Sequence, residues 1–111
     1  MLVTRSSPFG GRTRTVVLMV LRLLRESFPR ELARLLGVPL NGIQQALRGL
    51  EKDGLVVGRT VGRTRLFALN ARYFALRELA AYLDRLVEPE TELKARVSNV
   101  RRRPRRTNKP L

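Results

Sequence analysis

The stretch that decides the fold is residues 31–56, which read ELARLLGVPLNGIQQALRGLEKDGLV. Its first part predicts a short helix that ends at Gly37, because glycine readily adopts the left-handed conformation that often ends a helix. Its second part predicts a longer helix, which Pro39 can begin without losing a hydrogen bond. Four apolar residues at positions i, i+3, i+4 and i+7 place one face of this helix against a core: Ile43, Ala46, Leu47 and Leu50. Two helices joined by a tight turn follow from this pattern.

The opposite face of the longer helix carries Asn41, Gln44, Gln45 and Arg48. A primary amide can pair with adenine N6 and N7, and an arginine can reach guanine or a phosphate. A polar outer face is also ordinary on any amphipathic helix. No acidic residue lies between Pro39 and Leu50, and this absence favours the interpretation that these four side chains contact DNA bases.

The flanking sequence predicts the remaining elements. A helix is expected over residues 13–26, preceded by a leading segment, residues 1–11, that contains Ser-Ser-Pro and Gly-Gly. A β-hairpin is expected over residues 55–60 and 64–69, with Gly62 at the turn, and a last helix over residues 72–87. The predicted fold class is mainly α with a small β-hairpin (α+β).

The order of these elements, helix, helix, helix, strand, turn, strand, helix, resembles a winged helix-turn-helix. Residues 31–56 look like those of winged-helix regulators of the ArsR/MarR type. The resemblance covers residues 9–86 and implies a DNA-binding domain over residues 12–87, in which Ala33 allows the close approach of the first two motif helices. Pro39 departs from the Ser or Thr helix cap usual at that place. Metal-sensing ArsR members use cysteine or histidine ligands, and this chain has neither, so no metal and no cofactor are expected.

The resemblance also assigns the hairpin to the wing, the part of the fold that contacts DNA beside the recognition helix. Arginine at a hairpin tip suits a narrow minor groove or flanking phosphates. Backbone contacts are therefore expected from wing residues and from the first two helices: Arg59, Thr60, Arg63, Thr64, Arg65, Arg30, Arg34, Arg12 and Arg14. Arg12 and Arg14 lie at a helix start, where the dipole disfavours cations, so simple solvation is an equal alternative for them.

The charge of the chain indicates a polyanionic partner. Lys and Arg total 23 against 9 Asp and Glu, which gives a net charge of +14. Residues 1–87 hold 15 basic and 6 acidic groups, or +9, and residues 88–111 hold 8 and 3, or +5. A weak helix over residues 91–100 is one alternative, but residues 99–111 hold five arginines, one lysine, two prolines and no acid. This composition predicts that residues 88–111 form a disordered basic tail, which would act as a flexible electrostatic arm on phosphates or remain solvated without a partner.

The predicted last helix is rich in large apolar residues. Core packing alone explains some of them. The resemblance favours dimerisation, because winged-helix repressors of this size often pair through their terminal helices. A twofold dimer would present two recognition helices to two half-sites. The expected interface consists of Tyr73, Phe74, Leu76, Leu79, Tyr82, Leu83 and Leu86.

Several functions are excluded or disfavoured. Without cysteine or histidine the chain has no thiol nucleophile, imidazole base or zinc finger. Its carboxylates are scattered near basic neighbours, so an enzyme is not expected. Neither a membrane span nor a signal peptide fits the sequence, because the apolar run over residues 16–24 is far shorter than the ~20 residues of a span.

The sequence therefore predicts a cytoplasmic, nucleoid-associated regulator that binds double-stranded DNA sequence-specifically, as a homodimeric repressor that occludes its operator. One alternative is a protein-interaction module, such as an antitoxin or adaptor, whose DNA binding is autoregulatory and whose last helix docks a protein partner. Another is a nucleic-acid-binding protein without sequence preference.

Overall fold

The computed structural model describes residues 8–102. Eight elements follow one another in this range. The helices and strands are α1 (Arg12–Leu24), β1 (Glu26–Ser27), α2 (Pro29–Leu36), α3 (Leu40–Lys52), β2 (Val56–Val61), β3 (Thr64–Leu69), α4 (Leu76–Val87) and α5 (Thr91–Arg102).

Helix α1 is the centre of the core. Its residues from Thr15 to Leu21 are all buried, so it is apolar on every side rather than on one stripe, as expected for a helix enclosed by others. It contacts α2, α3, α4 and α5 as well as strands β1 and β3. The one buried polar side chain in this run, Thr15, donates a hydrogen bond from Oγ1 to the carbonyl oxygen of Gly11 at 3.0 Å. All the other elements except β2 therefore pack directly on α1, and β2 is held by its contacts with β3 and α3.

Helices α2 and α3 form the helix-turn-helix. Pro29 occupies the first turn of α2, where its missing N–H is not needed. Gly37 ends α2 with φ +66°, in the left-handed region that favours glycine. Pro39 immediately precedes α3. The predicted helices and the tight turn between them are confirmed.

The three strands form one antiparallel sheet in the order β1-β3-β2. Hairpin β2–β3 pairs Val61 with Thr64, so the turn consists of Gly62 and Arg63. Strand β1 is an addition that the sequence did not predict. Helix α1 ends at Leu24 rather than at residue 26, because Arg25 adopts φ +77° and turns the chain. Residues Glu26 and Ser27 then pair with Ala68 and Phe67 of β3.

The C-terminal region differs most from the expectation. Helix α4 begins at Leu76, not at residue 72, because residues 71–75 form turns. The prediction of a disordered tail from residue 88 is wrong for residues 91–102, which form helix α5. Leu93 and Val97, one helical turn apart, are buried in the core and pack α5 against α1. The folded unit thus extends beyond the predicted limit at residue 87; residues 103–111 and the segment before Pro8 lie outside the described range.

Candidate nucleic-acid interface

Helix α3 presents a polar face to solvent. Its apolar side, with Ile43, Leu47 and Leu50 almost fully buried, packs on α1 and α2. The side chains expected to read bases are all exposed on the other side: Asn41, Gln44, Gln45 and Arg48. None of them makes an ion pair or a side-chain hydrogen bond with residues 8–102. Their donors and acceptors are therefore available to a ligand.

The wing is defined here as strands β2 and β3 with their turn Gly62-Arg63. It follows α3 in the chain, and its strand β2 contacts α3. Gly62 has φ +62°, which glycine adopts without strain. Thr60, Arg63 and Thr64 surround the turn and are exposed. Arg63 has no ion-pair partner within the described residues. The wing tip thus carries a cation that no acidic side chain in the described part of the chain neutralises.

Helix α2 adds two more exposed cations, Arg30 and Arg34. Neither forms a salt bridge within the part of the chain that the structure describes. Both lie on α2, the helix that precedes α3. In DNA-binding helix-turn-helix proteins the first helix of the pair crosses the DNA backbone. The positions expected for phosphate contacts on α2 therefore hold available guanidinium groups.

The two remaining wing arginines each form an ion pair with a glutamate of the same chain. Arg65 donates two hydrogen bonds to Glu51, from Nη1 to Oε1 at 3.1 Å and from Nη2 to Oε2 at 2.7 Å. Arg59 lies 3.5 Å from the Glu26 carboxylate, with 67% of its side chain exposed. Of the three predicted wing arginines, only Arg63 has no acidic partner among residues 8–102.

The two arginines at the start of α1 also have contacts within the protein. Arg14 donates from Nη1 to the carbonyl oxygen of Phe9 at 3.2 Å and to Oδ2 of Asp53 at 3.3 Å. Its guanidinium lies over Gly49, where a Cβ atom would collide with it. Arg14 therefore braces the start of α1 against the end of α3, and Arg12, although exposed, is also in contact with other residues.

Two of the ion pairs shift the pKa values of their members. The hydrogen bond from Arg65 lowers the pKa of Glu51 below its ordinary value, and the same bond raises the pKa of Arg65. A second bidentate pair, Arg22 with Asp84, lowers the pKa of Asp84 in the same way. Both carboxylates are therefore ionised at neutral pH and hold their arginines in place.

The residues expected at a dimer interface divide into two groups. Leu79 and Leu83 lie on the buried face of α4, in the core of the single chain. They are therefore not available to a second copy without unfolding. Tyr73, Leu76 and Leu86 are half-buried, whereas Phe74 is 92% exposed and Tyr82 39% exposed. The Phe74 ring contacts the Tyr73 ring at a tilt of 54°, with centroids 5.0 Å apart.

Two residues of this region were missed by the sequence reasoning. Arg96 of α5 donates to the carbonyl oxygen of Leu35 at 2.9 Å and so ties α5 to the last turn of α2. Glu51 accepts the Arg65 bonds described above, whereas the sequence indicated only that the carboxylates lie near basic neighbours. The sequence shows that Arg96 and Glu51 are charged, but it does not show their partners, because those partners lie on elements distant in sequence.

No group of three or more acidic, histidine or cysteine side chains within residues 8–102 is arranged to hold a metal ion. The same part of the chain has no helix with the length and apolarity needed to cross a membrane.

Comparison with solved structures agrees with the order of these elements. The adhesin competence repressor AdcR of Streptococcus pyogenes superimposes with a TM-score of 0.61 at 17% identity, over 81% of this chain and 66% of that one. The chain has a winged helix-turn-helix fold. A variant of ZitR from Lactococcus lactis gives a TM-score of 0.58 at 20% identity, over 82% of this winged-helix chain and 64% of its own.

A second ZitR variant matches 91% of the winged-helix chain with a TM-score of 0.57 and 17% identity. The chain spans about two thirds of the length of AdcR and of most of the ZitR structures, since it covers 66%, 65% and 64% of the first three. No protein-family model and no curated protein matches the sequence. The predicted fold is confirmed by these neighbours.

Proposed function

We propose that this winged-helix protein binds double-stranded DNA sequence-specifically and regulates transcription, with α3 in the major groove and the wing on the adjacent backbone or minor groove. The accompanying location would be the cytoplasm, in association with the nucleoid. No catalytic step belongs to this proposal.

The observation that carries the proposal is the polar face of α3. Asn41, Gln44 and Gln45 are exposed in the first half of the helix, where a recognition helix contacts base edges. Their amides have no partner within residues 8–102, and amide groups distinguish adenine in the major groove. Packing of α3 on the core does not require these exposed amides, nor the exposed Arg48, which also has no partner within residues 8–102.

Repression by operator occlusion, with two copies on one operator, is the mechanism we infer. One structural neighbour, AdcR, is named as a repressor, and a small domain that covers a promoter site excludes other proteins without further machinery. The second copy would use the exposed aromatic surface of Phe74 and Tyr82, with half-buried Leu76 and Leu86 at its edge. Leu79 and Leu83 remain in the core of each copy in this arrangement.

Selection of bound duplexes from a random pool tests the proposal. A sequence-specific dimer should enrich two related half-sites, with centres about 34–36 Å apart along the helix axis. A pool that shows no enrichment would contradict sequence-specific binding. Enrichment of a single half-site, together with the mass of one chain in sedimentation, would contradict the dimer alone.

A protein partner is a second candidate role for part of the surface. Phe74 is an exposed aromatic ring in the turn before α4, and exposed aromatic residues are frequent anchors of protein interfaces. Sedimentation of Phe74→Ser beside the unaltered chain distinguishes the possibilities. Loss of self-association in the variant supports the dimer, whereas a monomer in both supports a partner of another kind.

Removal of the basic tail distinguishes sequence-specific from sequence-neutral DNA binding. Removal of residues 103–111 deletes three arginines and one lysine, which contact phosphates without reading sequence. We expect weaker binding to every duplex and an unchanged preference among them. If the shortened chain lost all binding, the tail and not α3 would be the main contact.

A further inference from the structure

The contact between Arg65 and Glu51 links the wing directly to the recognition helix. Glu51 lies in the last turn of α3, and Arg65 is the second residue of β3. Two parallel hydrogen bonds of 3.1 and 2.7 Å join the guanidinium to the carboxylate. A bidentate pair fixes orientation as well as distance, so it resists rotation of the wing about the end of α3.

The same guanidinium is held on two further sides. It donates from Nη2 to the carbonyl oxygen of Gly58 at 3.1 Å, across the hairpin. Its carbon Cζ lies 4.9 Å from the centre of the Phe67 ring, a cation–π contact with a side chain that is only 5% exposed. Arg65 therefore connects α3, both strands of the wing and the core.

Gly58 has the space that this arrangement needs. A Cβ atom at residue 58 would lie 2.7 Å from Nη2 of Arg65 and 2.8 Å from Cε2 of Phe67. Both distances are far below van der Waals contact, so any larger residue would push the guanidinium off the ring. The absence of a side chain at Gly58 is thus a second, independent feature that favours the same contact.

We propose that Arg65 is a positioning residue, not a DNA contact: with Glu51, Gly58 and Phe67 it forms a clamp that holds the wing at a fixed angle to the recognition helix. This inference rests on the proposed DNA-binding function. A fixed angle lets α3 and the wing tip engage neighbouring grooves together, so that readout by one aligns the other. Arg63, two residues away and without an ion-pair partner among the described residues, is left to contact the DNA.

Glu51→Gln gives opposite results under the two roles. If Arg65 is a phosphate contact, removal of a nearby negative charge should tighten binding to all duplexes. If Arg65 is a positioning residue, the weakened clamp should lower the ratio of specific to random binding by up to about fivefold, because both side chains of the pair are a third to a half exposed. Glu78→Gln, at an exposed site on α4, is the matched control for the charge change.

Arg65→Lys and the exchanged pair Glu51→Arg with Arg65→Glu complete the test. Lysine keeps the charge but lacks the planar fork, so it should reduce the binding ratio without changing the slope of affinity against salt. The exchanged pair should recover part of the ratio. Equally tighter binding of Glu51→Gln to selected and random duplex, with their ratio unchanged, or a salt slope that falls by about one in Arg65→Ala, would overturn the clamp.

Failure of the proposed function has a separate signature. If the unaltered chain shows no sequence preference, DNA readout fails, and amide hydrogen exchange of the free protein then decides the clamp. Arg65→Ala and Glu51→Gln should each speed exchange in β2 and β3, whereas Glu78→Gln should not. Equal exchange in all three variants would overturn the clamp whatever the DNA result.

Discussion

Arg22 and Asp84 join α1 to α4 through two parallel hydrogen bonds, from Nε to Oδ1 at 2.7 Å and from Nη2 to Oδ2 at 2.9 Å. The residues are 62 positions apart in sequence. Beneath them, Leu83 of α4 is fully buried and packs in the core that surrounds α1. The ion pair thus lies beside the contact between α1 and α4. The apolar part of that contact includes Leu83, which the sequence predicted for a dimer interface.

The stability of this contact should depend on pH. The Arg22 hydrogen bond lowers the pKa of Asp84, so its stabilisation is complete above the ordinary carboxylate pKa and is lost as the pH falls through the lowered value. Both side chains are about half exposed, so Asp84→Asn should lower the free energy of unfolding by only about 0.5–1 kcal/mol at pH 7. Urea unfolding across a pH series measures the difference. A difference that grew in acid would contradict this assignment.

Helix α5 should contribute to the stability of the whole domain. Leu93 is 4% exposed in the core cluster, so Leu93→Ala should lower the free energy of unfolding by about 2 kcal/mol or more. Ser98→Ala, on the exposed side of the same helix, should change it by less than about 0.5 kcal/mol. Thermal or urea unfolding measures both. Equal and small effects would mean that α5 does not pack on α1 in solution.

The sequence was sufficient for the helix-turn-helix and the wing because their signals are local. Gly37 ends a helix, the apolar spacing of α3 selects its buried face, and Gly62 allows the two-residue turn. Helix α5 was predicted only as a weak alternative over residues 91–100, because its composition is basic and polar. Its packing signal consists of Leu93 and Val97, one turn apart, which stabilise a helix only when α1 offers them a surface.

The candidate site was predictable in part for the same reason. Exposure of Gln44 and Gln45 follows from helix periodicity alone. The partners of Arg65 and Arg14 do not, because they depend on how β3 and α1 meet the end of α3. The charge of these arginines predicts that they lie on the surface. Only the structure shows that Arg65 pairs with Glu51 and that Arg14 pairs with Asp53.

Gly49 and Arg14 should be coupled. Replacement of glycine by alanine within a helix such as α3 normally stabilises a protein by about 0.5–1 kcal/mol. In this chain a Cβ atom at residue 49 would collide with the Arg14 guanidinium, which would have to leave Phe9 and Asp53. Gly49→Ala should therefore stabilise the Arg14→Ala variant more than the unaltered protein. Equal gains in the two backgrounds, measured by urea unfolding, would show that Arg14 does not brace α3.

Arg63 should be the wing's contact with DNA phosphate. Arg63→Ala removes an exposed, unpaired cation, so affinity should fall about equally for all duplexes. The slope of log affinity against log salt should become shallower by about one. Arg85→Ala, which removes an arginine that is 81% exposed on α4, is the control and should leave the slope nearly unchanged. Equal slopes for both variants would indicate diffuse charge rather than a wing contact.

The central claim, that α3 reads base edges, is tested most directly by Gln44→Ala combined with Gln45→Ala. Binding of this variant and of the unaltered chain should be titrated at one salt concentration with the selected duplex and with random duplex. Loss of amide pairing should weaken binding to the selected duplex by about 1–3 kcal/mol for each lost bidentate contact, while binding to random duplex changes little. An equal fall for both duplexes would contradict base readout by α3.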